Sequence, residues 1–172
     1  MARTIFSSDH EMFRDAYRAF LDRRVVPNAE QWEADGIVPR DVWLEAGAAG
    51  FLAFDVPESH GGPGVSDFRY NLIVVEELAA AGVMAAGAGF TLHNDVTLPY
   101  FLAYGTDEQK RRWLPGIASG ELITAVAMTE PGIGSDLAGM GTTALRDGDV
   151  YALNGAQPVM PLPRGARIGI GQ

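Results

Sequence analysis

The residues best suited to chemistry lie in one short stretch, Thr129-Glu130-Pro131-Gly132-Ile133-Gly134-Ser135-Asp136. Two glycines let a backbone approach a ligand closely and aim N–H groups at an anion, and Ser135 adds a hydroxyl donor. A pyrophosphate would suit such a turn. Backbone dipoles do the work there, so an acidic chain can bind it without Lys or Arg. A strand-to-loop turn with an Asx-type cap accounts for the same residues. Two other phosphate loops are excluded. No Gly-Lys-Ser/Thr follows, so this is not a Walker loop. Gly132-x-Gly134 also lacks the third Gly, and the helix after it, of a dinucleotide fingerprint.

Other candidates are weaker. The histidines are His10, His60 and His93, and no two sit at ligand spacing on one helix, so no metal site is expected. His60 falls in a Gly-rich loop and His93 in an apolar stretch; each reads as a surface or satisfied core histidine. Glu76-Glu77 pairs two carboxylates, but neighbours on a helix diverge by about 100°. One solvated Glu and one buried, partnered Glu is the expected outcome. Trp32, Trp43 and Trp113 occupy apolar helical positions, as core residues do.

Composition narrows the function classes. The chain has 172 residues, 47% of them apolar, which is enough for a core of ordinary size. Net charge is −9, a poor basis for binding nucleic acid. Cysteine is absent, so disulfides, thiol catalysis and thiolate metal sites are excluded. Asp9, Glu11 and Asp15 interrupt the first 20 residues, where a signal peptide would need an apolar core. The longest apolar stretch, Leu78–Leu92, is too short to span a bilayer. A soluble, cytoplasmic protein is expected.

The elements that must position these residues are mostly helical. Ser8-Asp9-His10-Glu11 reads as a capping box. Phe13, Ala16, Tyr17, Phe20 and Leu21 then recur at helical spacing, with Arg14, Asp15, Arg18 and Asp22 on the other side. Pro27 breaks or kinks this helix, and 29–34 resumes it. Pro39-Arg40-Asp41 opens the next helix, with Val42, Trp43, Ala46 and Ala49 inward and Gly50 as its cap. Phe51–Val56 is a short apolar run, and 57–64 is a Gly/Pro loop. Ser66 or Asp67 caps a helix with Leu72, Val75, Glu76 and Ala79 at helical spacing, interrupted at Gly82. Val83–Tyr104 is apolar on nearly every side, as for a helix buried within a bundle. Thr106 and Gln109 form a second capping box, starting a charged helix over 108–114 that Pro115-Gly116 closes.

The period changes after Gly120. Leu122–Met128 is a continuous apolar run, as for a buried strand. Thr142–Leu145 and Val150–Leu153 flank the turn Arg146-Asp147-Gly148-Asp149. The fold class is therefore mainly α: a helical domain over 1–120, then the first strands of a β domain over 121–155. Residues 156–172 stand apart, with two Arg, no acid and no sustained period. Three Pro from 157 onward would spoil a central strand.

Ala125-Val126-Ala127-Met128-Thr129-Glu130-Pro131-Gly132-Ile133-Gly134-Ser135-Asp136-Leu137 resembles the flavin-binding signature of the acyl-CoA dehydrogenases. The resemblance runs over about 5–155. It takes in Val25-Val26-Pro27, Gly50-Phe51-Leu52, Pro57-Glu58-Ser59-His60-Gly61-Gly62, Gly105-Thr106-Asp107-Glu108-Gln109-Lys110 and Leu153-Asn154-Gly155. The long-chain type is the best match. The resemblance implies FAD as cofactor. It implies that backbone groups of Val126 and Met128, and the backbone and hydroxyl of Thr129, bond the pyrimidine side of the flavin. It places Gly134 and Ser135 at the pyrophosphate, and Ser135 also at the pantetheine of a fatty acyl-CoA. It puts His93–Leu98 along the acyl tail. A complete enzyme of this kind removes the α-proton of the thioester, passes the β-hydride to flavin and is re-oxidised by electron-transfer flavoprotein, as a homo-oligomer.

The sequence also departs from the family. After Ala156 the family continues with a Lys and an aromatic-Ile-Thr strand over the flavin, where this chain reads Gln157-Pro158-Val159-Met160-Pro161. Gly141 stands where a basic residue is usual. The family's catalytic Glu belongs to a C-terminal helical bundle without counterpart here, so no catalytic residue is assigned. Two readings follow: the amino-terminal portion of an FAD-dependent acyl-CoA dehydrogenase, inactive alone, or a non-catalytic relic or helical subunit-interaction module. For the non-family tail the expectation is an out-of-frame reading of a disrupted gene; an evolved short terminus folding back over the sheet edge is the alternative.

Overall fold

A computed structural model describes residues 4–156. The expectations for the tail from Gln157 onward lie outside the described residues. The chain forms two compact units, one of helices ending at Ala125 and one beginning at Val126. The helical unit contains α1 (Ser8–Phe20), α2 (Ala29–Asp35), α3 (Arg40–Ala48), α4 (Arg69–Ala80), α5 (Met84–Thr91), α6 (Leu98–Tyr104) and α7 (Asp107–Ser119). The second unit carries an antiparallel hairpin of β1 (Thr143–Asp147) and β2 (Val150–Asn154). The mainly α class holds, and the 13–22 and 71–80 segments are helical throughout.

α1 begins one residue earlier than its sequence signal. Ser7, not Ser8, is the N-cap, and His10 takes the part expected of Glu11. The His10 Nδ1 accepts from the Ser7 backbone N–H at 3.1 Å and lies 2.7 Å from the Ser7 hydroxyl. Its Nε2 faces Asp67 at 3.2 Å, and the ring lies 4.5 Å from that of Tyr70. An imidazole satisfies the N-cap donor as a carboxamide would, so the capping-box pattern was offset rather than absent.

The outward-facing assignment of Arg14, 13% exposed, is corrected, whereas Arg18 at 52% keeps to the outer face. Both reach Glu77 on α4: Arg14 Nη1 at 2.7 Å, Arg18 Nε at 2.8 Å and Arg18 Nη2 at 3.1 Å. Glu77 is 5% exposed and Arg14 only 13%. Glu76, half-buried, also receives Arg14 at 3.1 Å. The expected split between one buried and one wetter carboxylate is present. The buried stripe of α4 is Asn71, Ile73, Val74, Glu77 and Leu78, not the one through Leu72, Val75 and Ala79. Polar Asn71 and Glu77 conceal that stripe from a count of apolar residues.

Aromatic rings from α1, α3 and α5 meet in the core. Phe13 sets its edge against Phe51 and Tyr70 at 5.6 and 5.0 Å, and Trp43 lies 4.7 Å from Phe90. Burial of this kind contributes about 1.5–3 kcal/mol per large side chain. Tyr17 sits among them, 1% exposed, and its hydroxyl finds no partner among the described residues. Burial pushes its pKa upward. Tyr17→Phe removes an unpaired polar group, so stability should hold or rise by about 1 kcal/mol. The urea midpoint checks this, and a fall of that size would contradict it.

α7 does not stop at Pro115. It runs through the proline to Ser119 and closes at Gly120, whose φ is +78°. An internal Pro costs about 3 kcal/mol. Ile117 and Ala118 of the extra turn are buried, which offsets it. A side chain at Gly120 would also collide with the Trp43 carbonyl, and one at Gly47 with that of Ser119. The two glycines set the close crossing of α3 and α7.

The 83–104 segment is one-sided rather than buried all round. α5 and α6 are joined by a wide π turn, Leu92–Thr97. It faces the core with Ala86, Phe90, His93, Asn94, Thr97 and Leu98, and exposes Met84, Val96, Tyr100 and Tyr104. The π turn places His93 and Asn94 inward together. Asn94 Oδ1 accepts the Ala53 N–H at 2.7 Å and its Nδ2 donates to the Phe51 carbonyl at 3.1 Å. Those bonds hold the buried 51–56 run, in which Ala53 adopts a left-handed φ of 55°.

Leu122–Met128 was expected to be a strand and is not one. Leu122 and Ile123 pack on the helical core, but the segment pairs with no strand among the described residues. An apolar run specifies extended backbone; a neighbour is needed to make it a strand. The expected hairpin is present; β1 starts one residue later and ends two residues later than its sequence signal, β2 ends one residue later, and Gly148 at φ +61° opens the two-residue loop. Leu145, Val150 and Leu153 remain more than half exposed.

Candidate functional site

The segment expected to do chemistry forms one loop in the second unit. Val126 to Thr129 are extended and alternate between half-buried and exposed, with Val126 and Met128 on one side and Ala127 and Thr129 on the other. Among the described residues their backbone N–H and C=O groups form no hydrogen bonds. Unpaired main-chain groups on an extended segment are available to a ligand or to another strand.

The chain then turns back on itself. Glu130 and Ile133 make a single β-bridge, the Ile133 N–H donating to the Glu130 carbonyl at 3.1 Å. A short 3₁₀ turn, Leu137–Gly139, completes the bend. The Glu130 side chain crosses the mouth of the loop. Its Oε2 accepts the Gly141 N–H and its Oε1 the Thr142 N–H, both at 2.7 Å. Hydrogen bonding from Thr142 and then Gly141 holds the carboxyl below its ordinary pKa, against a smaller desolvation effect.

Gly134 and Ser135 lie exposed on this loop. Their amides, and that of Gly132, receive no partner among the described residues. A Cβ at Gly132 or Gly134 would meet nothing within 4 Å, and neither residue has the positive φ that would demand glycine. Packing among the described residues therefore does not require glycine at either position, and both are open to close approach by a ligand. The residues fit a pyrophosphate-bearing group: free amides, a hydroxyl and no side chain in the way.

Sequence reasoning named Val126, Met128, Thr129, Gly134 and Ser135, and all five fall on this extended segment and loop. It missed Glu130. The signal was available as an acid 11 and 12 residues before Gly141-Thr142, though nothing in that spacing requires the contact.

His93 belongs to the helical unit and is 0% exposed. Its Nε2–H donates to the Ile117 carbonyl at 3.0 Å, while Nδ1 accepts from the Thr124 hydroxyl at 2.9 Å and the Thr124 N–H at 3.3 Å. Thr97 bonds Thr124 in turn. Burial, partly opposed by the Ile117 bond, lowers the His93 pKa to about 4. This is a satisfied core histidine. Of His93–Leu98 only Asp95 and Val96 escape full burial. Among the described residues no three His, Asp or Glu gather to hold a metal, and no helix is long and apolar enough to cross a membrane.

Residues 7–121 match the acyl-CoA dehydrogenase N-terminal domain. The chain belongs to the acyl-CoA dehydrogenase family. It is 43% identical over 155 residues to the long-chain specific acyl-CoA dehydrogenase of Sus scrofa mitochondria, covering 90% of this chain and 35% of that protein. An acyl-CoA dehydrogenase from Geobacillus kaustophilus superposes with a TM-score of 0.84 at 47% identity, covering 91% of this chain and 40% of the other. One from Bacillus anthracis, solved in complex with FAD, superposes with a TM-score of 0.80 at 34% identity, covering 91% of this chain and 27% of the other. The chain thus spans about a third of the length of its curated relatives.

Proposed function

We propose that this chain supplies the amino-terminal helical domain and the flavin-facing segment of an FAD-dependent acyl-CoA dehydrogenase acting on fatty acyl-CoA thioesters. The observation that carries this reading is the loop after Val126, where amides and two glycines without partners among the described residues sit within the stretch aligned with the long-chain enzyme. The domain limits 1–120, 121–155 and 156–172 belong to the same reading.

FAD, when bound, supplies the hydride-accepting chemistry. Backbone groups of Val126 and Met128, with the backbone and hydroxyl of Thr129, would orient the flavin's pyrimidine edge. The Gly134 and Ser135 amides would neutralise pyrophosphate charge, and the Ser135 hydroxyl would position the pantetheine arm. Val96 is the exposed apolar side chain of 93–98 able to meet an acyl tail. Electron-transfer flavoprotein and further copies of the protein are the partners in this reading. Its compartment is the cytoplasm, where a cysteine-free chain needs no oxidising environment.

These 172 residues assign no α-proton base, a group worth on the order of 10²–10⁴ in rate. The expectation is weak, saturable FAD binding without dye reduction by a long-chain acyl-CoA. Thr129→Val and Ser135→Ala should each weaken FAD by about three- to tenfold, as loss of a hydrogen bond does. Flavin fluorescence titration and a dye-reduction assay test both points. Turnover by the chain alone, or no saturable FAD binding, would contradict the reading. The second reading, a non-catalytic relic or helical subunit-interaction module, requires no flavin.

A further inference from the structure

We propose that Glu130 is the positioning residue of the flavin loop: its carboxylate clasps the Gly141 and Thr142 amides and so holds the 131–140 loop ready for a pyrophosphate. The proposal rests on the FAD reading above and assigns a role to a residue outside the ligand contacts.

Three observations converge. Both carboxylate oxygens are engaged, each by a different amide at 2.7 Å, on residues that enter β1. The bonds join the two ends of the loop, so they close it. The other backbone bonds of the loop, Ile133 N–H to Glu130 in one half and Gly139 N–H to Asp136 and Met140 N–H to Leu137 in the other, shape its two halves separately. Meanwhile the amides of Gly132, Gly134 and Ser135 have no partner among the described residues.

The chemistry explains why an acid can stand beside an anion site. A bare carboxylate would repel a pyrophosphate. Here two N–H dipoles engage both oxygens and turn the charge toward the loop's base. Without the clasp, a ligand must order ten residues as it binds, and that cost appears as lost affinity. Glu130→Gln keeps one acceptor oxygen and Glu130→Ala keeps none, so the losses should be graded.

The test uses ¹H–¹⁵N spectra of the full chain titrated separately with FAD, inorganic pyrophosphate and riboflavin. Riboflavin carries the ring but no phosphate, so it reports on 126–129 alone. Expected is an affinity loss of about tenfold for FAD and pyrophosphate in Glu130→Ala and a smaller loss in Glu130→Gln. Riboflavin shifts at Val126–Thr129 should be unchanged in both variants. Equal pyrophosphate affinity in wild type and Glu130→Ala would overturn the clasp and leave the FAD reading intact. An equal loss for riboflavin would show general unfolding of the unit and also overturn it. Wild type binding neither FAD nor riboflavin would sink the FAD reading itself, and this proposal with it. Hydrogen exchange of the wild-type chain gives an answer independent of ligands and variants: the Gly141 and Thr142 amides should be protected, and exchange at unprotected rates would refute the clasp.

Discussion

Glu77→Ala should cost the helical unit about 1–3 kcal/mol. The carboxylate is 5% exposed and receives both Arg14 and Arg18 across the α1–α4 contact. Removing it takes from Arg14, itself 13% exposed, its closest counter-charge and leaves Glu76 at 3.1 Å and Glu11 at 3.3 Å, both more exposed than Glu77. Arg18 is half exposed and can turn to water, so its share is small. Replacing Glu77 and Arg14 together by Leu should cost less than Glu77→Ala alone, because the cation is removed along with its closest partner. Urea unfolding of the single and double variants measures this. Equal losses would show that packing volume, not the cation's lost partner, sets the cost. Acid should weaken the same pair. Burial works to raise the Glu77 pKa, but hydrogen bonds from Arg18 and Arg14 outweigh it and lower the value. A lowered carboxyl pKa gives stability that is present above the ordinary value of 4.5 and is lost as pH falls through the folded-state value.

His93 should make the helical unit sensitive to pH at a higher range. Its pKa falls from 6.5 to about 4 on folding, chiefly because burial penalises the imidazolium. Between those values the unfolded chain holds a proton that the folded chain does not, so stability rises with pH across that window. Put the other way, about 3 kcal/mol is lost as pH drops from 6.5 to 4, at up to about 1.4 kcal/mol per unit. The contacts explain the sign. Protonation would place a hydrogen on Nδ1, directly against the Thr124 N–H and hydroxyl that donate to it. Asp95, whose pKa is raised by burial and then modified by Asn71 and Asp55, acts in the opposite sense. The comparison is therefore between wild type and His93→Gln, in which Asp95 is common to both. Wild type should lose stability more steeply than the variant from pH 6.5 to 4. Parallel losses would remove His93 as the cause.

How far the sequence foretold these features depends on what each one needs. The core positions in and just after α1 were legible because Tyr17, Phe20 and Leu21 are apolar at helical spacing, and burial is what such spacing encodes. Glu77 was legible only as one of two carboxylates. Its guanidinium partners lie about 60 residues away, and hydrophobic periodicity carries no information about polar residues inside a core. The same blindness hid the buried stripe of α4 and gave Arg14 to solvent. Pro115 misled in the opposite direction: local propensity ends a helix there, while tertiary burial of Ile117 and Ala118 extends it. The run at 122–128 was read as a strand from its apolar content. Strand pairing is a property of two segments, and one segment cannot declare it. In the loop, Gly132, Gly134 and Ser135 marked an exposed turn, a signal that a ligand-binding loop and a plain strand-to-loop turn share. Glu130 did not, because its role lies in a contact with amides that every residue has.

The most direct test of the account is where FAD touches the chain. Amide shifts of the full-length ¹⁵N-labelled protein should be followed as FAD is added to saturation. The account predicts that Val126, Met128, Thr129, Gly134 and Ser135 shift together with one saturating curve, while amides in the middle of α1 and α4 stay in place. Saturating FAD that moves none of these five residues, or that moves only residues of the helical unit, would contradict it.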